Sequence, residues 1–300
     1  MEKLLRYALY PFLLAMVLAV SAAAIRQGWD YGTVYGLTTI ALVLGLIAVE
    51  RAYPLEQRWS MTGRSFLRDL KFIAAGVPTI ALTKTVFGLW MIAYSQHHSP
   101  LLKGFPVALE VVCYLLAFEF FQYWYHRASH QLGGGLGRFL WRVHAAHHLP
   151  DRVYVVMHAV FNPLNALIST ALIQTPLVLL GISPEAALVA SLLIDLQGLV
   201  SHFNFDLRQG PLGYVFIGTA SHRQHHSAET GDTENFGTTL AIWDQLFGTF
   251  SYDPGHRPRE LGVRQPEHYP PSERWLDVVL LPLRGPSATG QVSDNRLPNP

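Results

Sequence analysis

Uncharged stretches of membrane length alternate with short polar connections along the first two-thirds of the chain. Tyr7 to Ile25 and Tyr31 to Val49 contain no charged residue, and each would extend about 28 Å as a helix, close to the thickness of a bilayer's hydrocarbon. Phe72 to Gln96, interrupted by Lys84, and Gly104 to Tyr125, interrupted by Glu110 and Glu119, predict two further spans. A signal peptide competes for the first run, because Lys3 and Arg6 precede it and Ser21-Ala22-Ala23-Ala24 offers small residues for cleavage. The run is long for a signal core, which favours a retained helix.

Two more apolar segments follow. Asn162-Pro163 reads as a cap with proline at the first helical position, Gly181 closes that run, and Ser183-Pro184-Glu185 opens another. The arms, 163–180 and 185–202, predict a helical hairpin whose limbs of about 27 Å could cross the bilayer or dip deeply into it. Asp195 makes the second arm the more polar. The pattern therefore predicts an all-α membrane protein with about four transmembrane helices and a helical hairpin. An N-terminal membrane region is expected over 1–104, a catalytic region over 105–253 and a proline-rich tail over 254–300. That tail is expected to lie extended over the surface, with its last fifteen residues disordered.

Composition agrees: half the residues are hydrophobic and only 14% are charged, against about 25% in soluble domains. A net charge of +1 supplies no basic field for nucleic acid. Cys113 is the single cysteine, so an internal disulfide and a cysteine-based zinc site are excluded. Five basic residues lie in the 50–71 connection and one each in 26–30 and 97–103, which places the former on the cytoplasmic side. Counting spans from there brings the chain after Tyr125 back to that side, as a histidine-rich helical cap.

Eight of the fourteen histidines fall in three short words: His126-Arg-Ala-Ser-His130, His144-Ala-Ala-His147-His148 and His222-Arg-Gln-His225-His226. Residues three and four apart share a helix face, so each word gathers imidazoles within one arc. Imidazoles crowded in this way cannot all be protonated, and a shared metal resolves the conflict. Imidazole suits zinc, copper, iron or nickel, and spacing alone does not choose. Ligands at helix ends favour a fixed surface site over a metal transporter, whose ligands would lie near the bilayer midplane. A membrane zinc protein with a structural or sensing role remains the non-enzymatic alternative.

These three words on such a scaffold resemble the fatty acid hydroxylase/sterol desaturase superfamily. The segment HRQHHSAETGDTENFGTTLAIWDQLFGTF from His222 is similar to that family's third box and its closing W-D-x-L-F-G-T motif, and His202-Phe203-Asn204 to its additional His-x-Asn site. The resemblance covers roughly 105–253. It implies two iron ions, which zinc may replace in purified protein, dioxygen as oxidant, a lipid substrate to be hydroxylated or desaturated, and a separate electron-transfer partner. It nominates His126, His130, His144, His147, His148, His202, His222, His225 and His226 as ligands. Where many members carry a histidine before Pro-Leu, this chain has Asn162. His158, about one turn earlier if helix extends back, either takes over that role or is an ordinary interfacial histidine.

A ligating histidine usually passes its other N–H to a carboxylate or carbonyl, and Asp232, Glu234 and Asp244 are candidates. Glu119 and Asp195 each precede a ligand by seven residues, too far for contact along one helix, and could serve a ligand on a neighbouring helix. The aromatic run Phe118–Tyr125 reads as an interfacial belt or a wall for a lipid tail. Gly133-Gly134-Gly135 reads as a flexible turn. His97, His98, His256 and His268 are expected in solvent.

Overall fold

The computed structural model describes residues 1–229 and 234–284. Among the described residues, six helices are long and apolar enough to cross a membrane: α1 (Glu2–Gln27), α2 (Tyr31–Ala52), α3 (Gly63–Ser95), α4 (Val107–Gln131), α6 (Pro163–Leu180) and α7 (Pro184–Ser201). Between them α5 (Gly134–His148) follows α4, and the short helices α8 (Thr219–His225), α9 (Ile242–Leu246) and α10 (Trp275–Val279) come after α7. Both hairpin arms thus reach spanning length, and the protein is a multi-pass membrane protein.

The ends of the spans follow their caps. Asp30 accepts from the Thr33 amide at 2.8 Å, Asn162 from Leu164 at 3.0 Å, and Ser183 from Ala186 at 3.2 Å, each satisfying a donor that the first helical turn leaves open. A capping box between Thr62 and Ser65 starts α3 nine residues before the expected Phe72. Much of the basic 50–71 connection is therefore helix. Its Arg68, buried, donates to Asp69 at 2.8 Å and to the Tyr154 hydroxyl at 2.8 Å, and that hydroxyl donates to Asp69 in turn. This fastens the start of α3 to the segment that follows α5.

Several intramembrane polar residues are paired within the bundle. Glu110 on α4 accepts from the Ser183 amide at 2.8 Å and its hydroxyl at 2.5 Å, clamping the hairpin turn. Asp195 accepts from Thr39 at 2.8 Å, and Gln197 from Tyr10 at 3.0 Å. Together these hold α7 against α1 and α2, with Leu192, Leu196 and Val200 fully buried in the core between them. Asp195 therefore serves a threonine of α2 rather than one of the clustered histidines.

Only Leu132 and Gly133 separate α4 from α5. Gly134 takes a left-handed φ of 74° at the start of α5, and a Cβ on Gly137 would lie 1.6 Å from the Leu132 carbonyl oxygen. The expected flexible turn is a tight corner that needs glycine, and two of its three glycines lie in helix. The tail also departs from expectation. Leu261, Val263, Tyr269, Val278 and Leu281 are buried, the Tyr269 hydroxyl accepts from the Trp141 indole at 2.7 Å, and Arg142 donates to the Arg284 carbonyl at 2.6 Å. Apolar residues at 275–283 give this stretch a face to bury against α5, so it packs instead of lying loose. The last fifteen residues lie outside the described residues.

Candidate metal centre

Nine histidines converge where the ends of α4, α5, α7 and α8 meet, and they form two groups. His126, His130, His144, His148 and His225 make one, and His147, His202, His222 and His226 the other, with one ring nitrogen per residue lying within 4.8 Å of every other in its group. Helix geometry sorts the words. His144 and His148, four apart, share one face, whereas His147 points aside to the second group; His222 and His226 likewise stay together while His225 joins the first. The groups abut, with the rings of His148 and His226 stacked 4.3 Å apart.

Hydrogen bonds fix several of the tautomers. Nδ1 of His126 lies 2.7 Å from the Phe236 carbonyl, that of His147 3.1 Å from Val160, that of His202 3.0 Å from Gly198, and that of His225 2.9 Å from Glu234. A carbonyl only accepts, so each Nδ1 carries the proton and each Nε2 presents a lone pair inward. His144 makes the equivalent bond to the Asn165 amide oxygen at 3.3 Å.

The inward nitrogens are crowded beyond what neutral rings tolerate alone. Nε2 of His147 and Nε2 of His202, both bare by the preceding argument, face each other at 3.0 Å. His222 and His226 bring their Nε2 atoms to within 3.2 Å of the same pair. In the other group the Nε2 atoms of His126, His130 and His225 are buried with no protein partner among the described residues. Protonation does not relieve the crowding. Burial, reinforced by neighbouring imidazoles, holds His147, His148, His222, His225 and His226 well below the usual histidine value, and brings His202 down to about 3. Converging, unprotonated nitrogen lone pairs fit a pair of metal ions.

The supporting shell lies mostly in backbone. Asp244 touches no histidine; its carboxylate accepts from the amides of Phe236 and Gly237 at 2.7 Å each and from the Thr249 hydroxyl at 2.7 Å. Burial pushes this acid up to about 6. Glu119 accepts from the amides of Thr238 and Thr239. The two acids pin the loop whose Phe236 carbonyl orients His126, so each acts one step behind the ring. Asn235, at a left-handed φ of 61°, ties the loop to Ser221 and Ser251. Glu234 contributes its backbone carbonyl, while Asp232 lies outside the described residues. Sequence reading overlooked Asn165, whose amide oxygen accepts from Tyr125 at 2.7 Å as well as from His144. The available signal was an asparagine inside an apolar run.

His158 belongs to neither group. It sits on a 3-10 turn, Val155–Ala159, and the chain from Val160 to Asn162 is extended, so the turn of helix that would aim it inward does not form. Its ring lies over Gly198, where a Cβ would come within 2.2 Å of it. Asn162 caps α6 and donates its amide to the Val279 carbonyl at 2.9 Å, linking the hairpin to the tail. The aromatic run divides: Phe121 and Trp124 are exposed as a belt would be, whereas Tyr123 is buried and bonded to Thr249 at 2.9 Å. His97, His98 and His268 are exposed.

Comparison with known proteins matches the same region. A family model described as fatty acid hydroxylase covers residues 111–249, a span that holds all nine clustered histidines. Ornithine lipid hydroxylase OlsE of Rhizobium tropici is 32% identical over 269 residues, which is 85% of this chain and 78% of that protein. The chain belongs to the fatty acid hydroxylase family. Alkylglycerol monooxygenase of Caenorhabditis elegans is 28% identical over 158 residues, 50% of this chain and 29% of that protein. The very-long-chain aldehyde decarbonylase GL1-5 of rice is 25% identical over 164 residues, 51% of this chain and 25% of its own length. No solved structure matches. As a fatty acid hydroxylase relative, the chain is a membrane oxidoreductase of the lipid-oxidising class.

Proposed function

We propose that this protein is a di-iron monooxygenase that hydroxylates a membrane lipid at the cytoplasmic face, using dioxygen and electrons from a separate donor. The observation that carries the reading is the His147–His202 pair, two Nδ1-protonated rings whose bare Nε2 atoms meet at 3.0 Å. His126, His130, His144, His148 and His225 would hold one ion and His147, His202, His222 and His226 the other. Such a centre supplies the activation of dioxygen. The residues of the chain hold ring orientation through backbone carbonyls, exclude water by burying the rings, and keep the nitrogens free of protons. Hydroxylation balances as one oxygen atom to carbon and one to water, with two electrons and two protons drawn from the donor. Imidazole also suits zinc, so zinc in purified protein would mark replacement of iron. Among lipids, the relative aligned along 85% of this chain, named for ornithine lipid, favours a lipid with an amino-acid headgroup.

The test combines metal analysis with untargeted lipid mass spectrometry of cells making wild-type or His147→Ala protein. A gain of one oxygen in a lipid, lost in the variant along with bound iron, is expected. Loss of two hydrogens would make the reaction a desaturation. Mononuclear zinc with unchanged lipids would overturn the enzyme reading in favour of a structural or sensing role.

A further inference from the structure

An open cleft of about 600 Å³ is lined among others by Arg64 and Ser65 at the start of α3, Leu149 and Arg152 after α5, and Ser272 and Glu273 before α10. Its wall includes Leu149, which directly follows the clustered His148 in the chain. Its charges are two arginines and two carboxylates, Asp151 being the fourth. Arg152 is already committed, to Asp151 at 3.0 Å and to the Ser60 carbonyl at 3.2 Å. Arg64 and Glu273 form no ion pair or hydrogen bond among the described residues, not even with each other. The cleft also has a built element. Buried Arg68 donates to the Ser272 hydroxyl at 3.1 Å from behind and fixes it in place. Apolar side chains exposed on the flanking helices, Phe66, Leu67 and Leu70 of α3 and Leu276 of α10, give its surroundings the character of a bilayer interface.

We propose that this cleft binds the headgroup of the lipid substrate, and that the headgroup is a zwitterion of the amino-acid kind, with its carboxylate at Arg64 and its ammonium at Glu273. The proposal rests on the lipid-oxygenase reading above and adds the part of the lipid that is recognised. Unpaired opposite charges lining one cavity complement a ligand that carries both signs. A purely anionic headgroup would meet Glu273 and Asp151, and a cationic one would meet Arg64 and Arg152, so either leaves a like charge facing it.

The experiment uses full-length, iron-loaded protein in nanodiscs and measures retention of three probes by native mass spectrometry: ornithine lipid, its carboxyl methyl ester and its side-chain N-acetyl derivative. Wild-type protein is expected to prefer the unmodified lipid over both derivatives. Arg64→Ala should weaken ornithine lipid roughly tenfold, as expected for loss of a charged hydrogen bond, and leave the methyl ester unaffected. Glu273→Gln should do the same with respect to the N-acetyl derivative. Iron content should match wild type in both variants. Equal retention of ornithine lipid by wild type and both variants, or equal retention of all three probes by wild type, overturns the proposal. Retention needs no turnover, so the two readings fail separately. A wild-type protein that discriminates the probes yet oxidises no lipid when given reductant and dioxygen removes the enzymatic reading and keeps the site; one that oxidises lipid with the same KM after Arg64→Ala keeps the enzyme and removes the site.

Discussion

The carboxylate of Asp244 satisfies three donors and touches none of the rings it serves. Asp244→Asn keeps the shape but turns one acceptor into a donor facing a backbone N–H, a mismatch that costs about 1–3 kcal/mol. It also releases the Phe236 carbonyl behind His126. Disturbing such outer partners typically lowers metal affinity about 10- to 100-fold; a competition titration with a chelator should show that loss, and unchanged affinity would show that the loop holds its place without Asp244. The rings themselves carry a pH signature. In the metal-free fold, burial keeps His147 and its neighbours from protonating, and His202 titrates only at about 3, whereas the unfolded chain takes up protons near 6.5. The unfolded state then binds more protons as pH falls, so the contribution of these groups to stability is complete above 6.5 and is lost progressively below it. The melting temperature of chelated protein should fall between about pH 7 and pH 5. A flat profile would mean that the rings are hydrated and not buried.

At the scale of elements, the corner between α4 and α5 sets where two of the three histidine words meet. Gly137→Ala drives a Cβ into the Leu132 carbonyl, and relief requires α5 to shift against α4. Overpacking of this kind costs about 1–3 kcal/mol. Because His126 and His130 ride on α4 while His144 and His148 ride on α5, the five-histidine group should suffer more than the four-histidine group, whose only member on these two helices is His147. Iron per chain should fall from about two towards one in the variant, read by elemental analysis against protein concentration; retention of both ions would show that the corner can give. Much at this scale was legible in the sequence. Helix caps at Asn162 and Ser183, hydrophobic length and the i, i+3, i+4 histidine spacing each act within a few residues, so they can be read locally. Three features depend on distant partners and were not legible: the division of each H-x-x-H-H word between two groups, the 3-10 turn that leaves His158 outside both of them, and the carbonyls that orient the rings. No side-chain pattern encodes a carbonyl acceptor, because every residue has one.

At the scale of the whole molecule, the segment after the third histidine word folds back as a closure. Residues 261–283 bury Leu261, Tyr269, Val278 and Leu281 against α5 and its surroundings, and Asn162 reaches across to the Val279 carbonyl. A chain stopped after Glu260 should still insert its six apolar helices but retain little iron, measured on membranes after solubilisation; full iron retention would reduce the tail to decoration. The proline content of this stretch suggested a loose cover because proline forbids regular structure, yet isolated prolines at turns leave the apolar residues between them free to pack. That closure also orders events in time. The first histidine word emerges from the ribosome long before Leu281, so the earliest spans settle in the bilayer while their imidazoles are still uncovered and able to take whichever metal is nearest. Under the di-iron reading, correct metal loading is therefore a late step of biogenesis, and a cell that makes this protein faster than it can supply iron to finished chains will accumulate mismetallated copies.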